Sequence, residues 1–305
     1  QDDVRVALVW GSQVLQRIAR SVRMAENHIV KAEKMGVIAH MANAYDYDRS
    51  AVDEAWRTLL LSQHHDSWIV PYNGLKHRGT WADWIIDRWT VNTINTSEDI
   101  ISAAAASFYG DSIEILRVFN TLPYAREEVV ETLLHDCPTG MEPVLTGPDG
   151  QIAVSGFNAA SGILSFRAKG PSFGFAVYKI AWREAAGGVK MQGEDPYALE
   201  NELYKITFDP ARGGIITSII LKKEGGRELV RQSDLAFGEM KGYFYDEEAF
   251  HSSADAPAAL EKEEGELVSA MHIAGNIGGH PFSQTVKLRS GDPGIYFHLD
   301  IDWQG

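Results

Sequence analysis

The hydrophobic pattern of this chain changes period once, near Phe108, and that change constrains the fold more than any other feature. Before it, apolar residues recur every three or four positions. In "SQVLQRIARSVRMAENHIVKAEKM" the residues Val14, Ile18, Val22, Ala25 and Ile29 form one face of an amphipathic helix. Gly36 marks its end or an interruption. A second helix is expected from Ser50, where Ser50 and Asp53 have capping-box spacing, with a stripe of Val52, Trp56, Leu59 and Gln63. Pro71 and Gly74 break it. A third is expected where Thr80 and Asp83 repeat the capping pattern before Trp81, Trp84, Ile85 and Trp89. The helical spacing of these tryptophans reads as core rather than as sugar platforms. Short connections favour an antiparallel three-helix bundle over residues 1–107.

After Phe108 the period is two. "SIEILRVFN", "REEVVETLL", "GILSFRAK" and "FGFAVYKIAW" read as strands, and "GPDG" as a hairpin turn between extended runs. "GGVKMQGEDP" reads as a linker, followed by "ENELYKITFD", turns at "PARGG" and "KKEGG", and strands to "IYFHLDIDW". The charged run "EKEEGE" is expected to be a solvated turn. Strands without interleaved helices imply antiparallel sheets. The expectation is therefore an α+β chain: the helical bundle, a small β domain at 108–190, and the start of a large β-sandwich at 191–305, cut from a longer polypeptide.

Composition removes several function classes. A formal net charge of −14 argues against nucleic acid and against an anionic membrane surface. No apolar run approaches the roughly 20 residues that span a bilayer. A single cysteine, Cys137, excludes an internal disulfide framework and a cysteine-based zinc site, and fixes no compartment.

Chemistry concentrates in "LLLSQHHDSW", where a leucine run ends on His64, His65 and Asp66. Helix neighbours point about 100° apart, so both imidazoles cannot address one ion as an i, i+4 pair does. At most one is a ligand, and a zinc ion needs about four donors in all. Two readings stay open. His65 projects into a cleft as a ligand with Asp66 beside it and Trp68 as a wall, or it complements the helix dipole and Asp66 starts a turn. His298 and Asp300 share one strand face by period two, in a context that does not suggest a metal.

The segment "EAWRTLLLSQHHDSW" closely resembles the motif carried in the three-helix middle domain of glycoside hydrolase family 38 α-mannosidases. "LRVFNTLPYAREEVV" is similar to the family's entry into its β region. "LENELYKITFDPARGGIITSIILKKEGGREL" is similar to the strand pair that opens its large C-terminal sandwich, and "FGEMKGYFYDEE" follows where that sandwich approaches the active site. These motifs occur in the family's order and span most of the chain.

The resemblance implies a zinc-dependent retaining exo-α-mannosidase acting on glycans with terminal mannose. It places His65 as the zinc ligand, Asp66 beside the bound sugar, and His64 as a hydrogen-bonding neighbour that fixes the site. Tyr243 or Tyr245 is implied to approach the same sugar; the alternative is packing between sheet aromatics. Retention needs two carboxyl groups about 5–5.5 Å apart. The family supplies its nucleophilic aspartate, and a further His-x-Asp zinc pair, from an N-terminal (β/α) domain of the same parent chain; this sequence contains no such domain, and its His-x-Asp, His298-Leu299-Asp300, lies in an expected strand. Asp246, Glu247 and Glu248 are too local to replace them. Where many members continue with an Ala-Ile-Thr-Gly-Thr type of segment, this chain has "SWIVPYNG", which reshapes the pocket rim. The rival reading is a non-catalytic carbohydrate-binding or docking module. Exposure of His65 discriminates between the two.

Overall fold

A computed structural model describes residues 13–43, 45–69, 79–108, 114–135, 137–185, 195–231, 233 and 235–302. Among them the chain forms helices followed by five sheets, and every strand pairing of defined register is antiparallel, an α+β architecture. The chain divides into two compact units. One comprises Gln1–Ile113, Phe119–Ala125 and Pro171–Phe175; the other comprises Glu114–Val118, Arg126–Gly170 and Ala176–Gly305.

In the first unit α1 runs Gln13–Asn43, with Ile18, Val22, Ala25 and Ile29 buried as the periodicity requires. It passes straight through Gly36. A β-carbon there would stand 2.7 Å from Cδ1 of Tyr47, so the glycine serves close approach of that ring and does not end the helix. Helix α2 runs Arg49–Ser62. Its cap is Asp48, not Ser50: the Asp48 carboxylate accepts from the backbone N–H of Ser50 at 2.8 Å and of Ala51 at 3.3 Å, and from the Ser50 hydroxyl at 2.7 Å. A charged acceptor standing just outside the first turn outcompetes a hydroxyl inside it. These bonds, the Ser50 hydroxyl first, hold the Asp48 carboxyl below its ordinary value. The buried stripe of α2 is Val52, Ala55, Thr58, Leu59 and Ser62; Trp56 is half-buried and Gln63 is exposed.

The five-residue helix α3 (His65–Ile69) follows α2 after a break. Residues 70–78, which hold the expected breakers Pro71 and Gly74, lie outside the described residues. The Thr80–Asp83 capping box forms as expected and opens α4 (Trp81–Trp84). A π-turn at Ile85–Trp89 leads into α5 (Thr90–Ala106), and the Thr90 hydroxyl donates to the Ile85 carbonyl at 2.9 Å. The tryptophans pack on one another: Trp89 lies 6.0 Å from Trp81 and 5.9 Å from Trp84, all half-buried. Ile18, Val22, Ala25 and Ile29 of α1 share one apolar cluster with Ala55 and Leu59 of α2 and with Ala82 and Ile85. Between α2 and α5 the buried hydroxyls of Thr58 and Thr93 meet at 2.9 Å, and Thr93 also contacts the Ala55 carbonyl at 2.9 Å.

Six strands follow: β1 (Ile115–Asn120), β2 (Arg126–Leu133), β3 (Met141–Thr146), β4 (Ser155–Asn158), β5 (Ile163–Gly170) and β6 (Gly174–Glu184). They form two three-stranded sheets, ordered β1-β6-β3 and β2-β5-β4. In the second unit Leu145, Leu164, Phe166, Tyr178 and Ile180 interleave between these sheets. The turn at Gly147–Gly150 forms, with Gly150 N–H donating to the Gly147 carbonyl at 3.0 Å.

Then come β7 (Ala198–Glu200), β8 (Tyr204–Asp209), β9 (Ile215–Leu221) and β10 (Arg227–Glu228), in one sheet ordered β10-β9-β8-β7. The expected linker falls largely on residues 186–194, outside the described set. A hairpin, β11 (Lys241–Phe244) and β12 (Ala249–Ser252), precedes the meander β13 (Ala259–Glu264), β14 (Val268–Ile277), β15 (His280–Arg289) and β16 (Ile295–Ile301). Leu199, Ile206, Phe208, Ile216 and Ile219 pack against Met271, Ile273, Ile277, Phe282, Val286 and Leu288 in one cluster. The charged run is a correction to the sequence reading: residues 261–264 belong to β13, and only Gly265 and Glu266 turn. Lys262, whose side chain is 13% exposed, pairs with Glu264, so alternate charges are folded into the strand rather than left in solvent.

Glu131 of β2 reaches β15, where its carboxylate meets Lys287 Nζ at 2.8 Å and Arg289 Nη2 at 3.0 Å. Burial by itself would raise this carboxyl, but the hydrogen bonds and charges of Lys287 and Arg289 outweigh it and hold it below its ordinary value. Glu131→Gln is expected to lower stability at pH 7 by about 1–3 kcal/mol, read by urea unfolding. Because the folded value is depressed, the contribution is complete above the unfolded glutamate value of about 4.3 and fades as pH falls through the folded value. Wild type and variant should therefore converge in acid.

Gly278 has φ +54°, and a β-carbon on it would collide with the Phe244 ring. Gly278→Ala should cost about 1–3 kcal/mol by thermal unfolding and disorder the β11–β12 hairpin, visible as loss of amide protection there.

Candidate functional site

The histidine pair does not finish a helix: His64 lies in the break after α2 and His65 opens α3. Helix α2 stops at Ser62, whose buried hydroxyl donates to the Leu59 carbonyl at 2.6 Å, and Gln63 closes the last turn with its N–H on the Leu59 carbonyl at 3.0 Å. The His64 carbonyl then starts α3 by accepting from Ser67, through the hydroxyl at 2.7 Å and the backbone N–H at 3.1 Å. Trp68 Nε1–H donates back to the Ser62 carbonyl at 2.6 Å, tying the short helix to the end of the long one.

This break changes the geometry drawn from helical spacing. His64 lies outside regular helix, so the two imidazoles are not splayed by about 100° but stacked, with centroids 5.0 Å apart and planes at 20°. The Asp66 backbone N–H donates to His64 Nδ1 at 3.3 Å, which places the proton of neutral His64 on Nε2. His65 Nε2 stands 3.2 Å from Asp66 Oδ1, and His64 Nδ1 stands 3.9 Å from Asp66 Oδ2. The His65 side chain is 75% exposed. The imidazole that discriminates between the two sequence readings is thus open to solvent with the carboxylate beside it.

His65 lines a cavity of about 510 Å³ together with Trp68, Ile69, Gln63, Val22 and the Arg23–Glu26 ion pair, closed at 2.6 Å. Trp68 is the apolar wall expected of it. Arg23 and Glu26 were not singled out by the sequence reading. Only the i, i+3 spacing of opposite charges marked them as a pair.

Two donors are what this site supplies to a cation. Among the described residues no group of three or more His, Cys, Asp and Glu converges in metal-binding fashion. The donor types suit zinc: a neutral imidazole and a carboxylate. Their spacing suits it as well, since two donors at zinc distances and tetrahedral angle stand roughly 3.3 Å apart. The 3.2 Å between His65 Nε2 and Asp66 Oδ1 equally serves a direct N–H···O contact in the metal-free chain.

In the second unit Tyr243 and Tyr245 lie on the outer face of the β11–β12 hairpin, 41% and 83% exposed, with ring centroids 5.1 Å apart. Phe250, paired with Tyr243 across the hairpin, adds a third ring at 5.0 Å and is 63% exposed. Sequence reasoning missed Phe250; its signal was the register imposed by the Asp246–Glu248 turn. Phe244, between the tyrosines, points the other way and packs on the apolar core, stacked on His280 at 5.6 Å. At the hairpin tip Glu247 is held by His251 at 2.8 Å. His298 and Asp300 do share one face of β16, and His298 Nε2 lies 2.8 Å from Asp300 Oδ2. The structure brings together His64, His65 and Asp66 in one unit and the aromatic trio in the other.

No curated protein matches the chain. Residues 199–305 match the family model described as glycosyl hydrolases family 38 C-terminal domain. That span opens within β7 and contains the Tyr243 hairpin and the β13–β16 meander. Over residues 199–305 the chain is thus similar to the C-terminal domain of glycosyl hydrolases family 38.

Proposed function

We propose that the chain is part of a zinc-dependent retaining exo-α-mannosidase that removes terminal mannose from glycans. In this reading the helices form the three-helix middle domain, the sheets form the β-sandwich regions, and an N-terminal domain of the same parent polypeptide supplies the nucleophile, the acid/base and the remaining zinc donors. The observation that carries the reading is the exposed His65 imidazole beside Asp66 on the lip of a cavity, in a chain whose residues 199–305 match the family 38 C-terminal domain.

His65 is the zinc ligand, Asp66 orients either the ion's other ligands or the sugar hydroxyls, and His64 braces Asp66 through its backbone N–H. Zinc, when bound, supplies Lewis acidity toward the sugar's hydroxyl oxygens. Trp68 keeps one side of the cavity dry, and the stacked His64 ring restricts rotation of His65. Tyr243 and Tyr245 each offer an exposed ring for sugar contact on their own unit. Mannose is the reading taken from the Gln-His-His-Asp motif, and Trp68, which follows it on the cavity wall, bears on the linkage preference.

The test is made in the parent polypeptide. His65→Ala should lower kcat/KM for an aryl α-mannoside by at least roughly 100-fold and lower bound zinc measured by mass spectrometry, since even outer neighbours of a zinc site are worth about 10–100-fold. The isolated chain, with two donors, should turn over no aryl α-mannoside. Unchanged activity and zinc content in the His65→Ala protein would sink the proposal.

A further inference from the structure

The second unit holds a larger cleft that the reading above does not use. Its volume is about 940 Å³, near the upper end of the roughly 300–1,000 Å³ of small-molecule sites. Its floor is the polar face of the β13–β16 meander. Register places His272, Thr285 and His298 in one row across β14, β15 and β16, with Lys287 and Tyr296 paired in the next. The opposite face of the same strands carries the buried Met271, Val286 and Leu288. Ser155, Phe157 and Asn158 of β4 stand over the floor as a wall, and Glu142 and Arg183 add a second.

Most of the charge in this cleft is paired. Glu131 is held by Lys287 and Arg289, Glu142 by Arg183 at 2.5 Å, and Glu264 by Lys262. Glu263 accepts from Asn158 Nδ2 at 2.7 Å and lies 3.2 Å from His272 Nε2, while His272 Nδ1 meets the Thr285 hydroxyl at 3.1 Å. An anionic ligand would face five glutamates, Glu131, Glu142, Glu263, Glu264 and Glu266, while Lys287, Arg289 and Arg183 are already engaged in ion pairs. What remains is a dense alternation of donors and acceptors fixed in place, which suits vicinal hydroxyls.

The aromatic component is fixed too. Tyr296 donates its hydroxyl to Asp292 at 2.6 Å, and the Arg289 guanidinium lies 4.6 Å from its ring centroid. The Asp292 hydrogen bond, with burial, raises the phenol above its ordinary value and keeps it neutral. With the ring's orientation set from both sides, and the residue 40% exposed, no entropy is lost in presenting it to a ligand.

We propose that this cleft binds an uncharged oligosaccharide, lying along the His272–Thr285–His298 row with a sugar ring against Tyr296. The proposal does not depend on the assignment of His65.

The experiment is titration of the full chain, followed by backbone amide NMR, with uncharged tetrasaccharides of mannose and of glucose, and with sialyllactose as the anionic probe. The expected result is saturable movement of amides at 155–158, 285–287 and 296–298 with at least one uncharged tetrasaccharide and none with sialyllactose. His298→Ala, at an exposed position, and Tyr296→Leu should each weaken binding roughly three- to tenfold, the worth of one polar or ring contact. Matching melting temperatures would show that both variants remain folded. His65→Ala should leave the titration unchanged, so failure here and failure of the mannosidase reading are separate outcomes. No movement with any uncharged tetrasaccharide, equal binding of sialyllactose, or full affinity in both folded cleft variants would overturn the proposal.

Discussion

One carboxylate joins the two β portions of the second unit. Glu131 leaves β2 and is received by Lys287 and Arg289 on β15, so strands more than 150 positions apart in sequence are pinned at one point. The clamp is mostly screened from water, and both cations are spoken for. That single arrangement sets the floor against the wall of the large cleft and engages both of its cations with one carboxylate. Lesser ties act in parallel, among them Arg167 donating to the Ser290 carbonyl and hydroxyl at 3.1 Å. None of them combines opposite charges with burial, so none carries comparable energetic weight.

In the first unit the equivalent constraint is a stop rather than a bond. Helix α2 must end at Ser62 because the Ser62 carbonyl is taken by Trp68 and the His64 carbonyl by Ser67. A continuous helix would splay the two imidazoles and turn one of them inward. The break stacks them and leaves His65 free beside Asp66. Local hydrogen bonding, not helical geometry, presents the candidate ligand.

Much of this was legible in the sequence. The change of period at Phe108 anticipated the change from helix to strand, and buried Ile18, Val22, Ala25 and Ile29 followed the 3.6-residue repeat. The Thr80–Asp83 capping box formed because both partners of the motif were local. Legibility failed where competition decided. Asp48 displaced Ser50 as cap, and Gly36 met the ring of Tyr47, a contact no propensity records. The charge run at 261–264 joined a strand because its neighbour β14 offered a partner. The site divided in the same way: His65, Asp66 and Trp68 were marked by a contiguous motif, whereas Arg23, Glu26 and Phe250 are brought in by tertiary contact and cross-strand register. The cleft was illegible for a further reason, since its lining comes from many strands and each residue by itself is an ordinary exposed polar group.

The paired hydroxyls of Thr58 and Thr93 have one more consequence. They act as a peg between α2 and α5: sliding either helix by a turn, about 5.4 Å, would break the Thr58–Thr93 contact and the bond from Thr93 to the Ala55 carbonyl, leaving each hydroxyl only its own helix to bond. An all-apolar seam would tolerate such slippage with little penalty. The height at which α2 terminates is thereby indexed to α5, and the imidazole that emerges just beyond that terminus inherits its elevation from two threonines that never touch it.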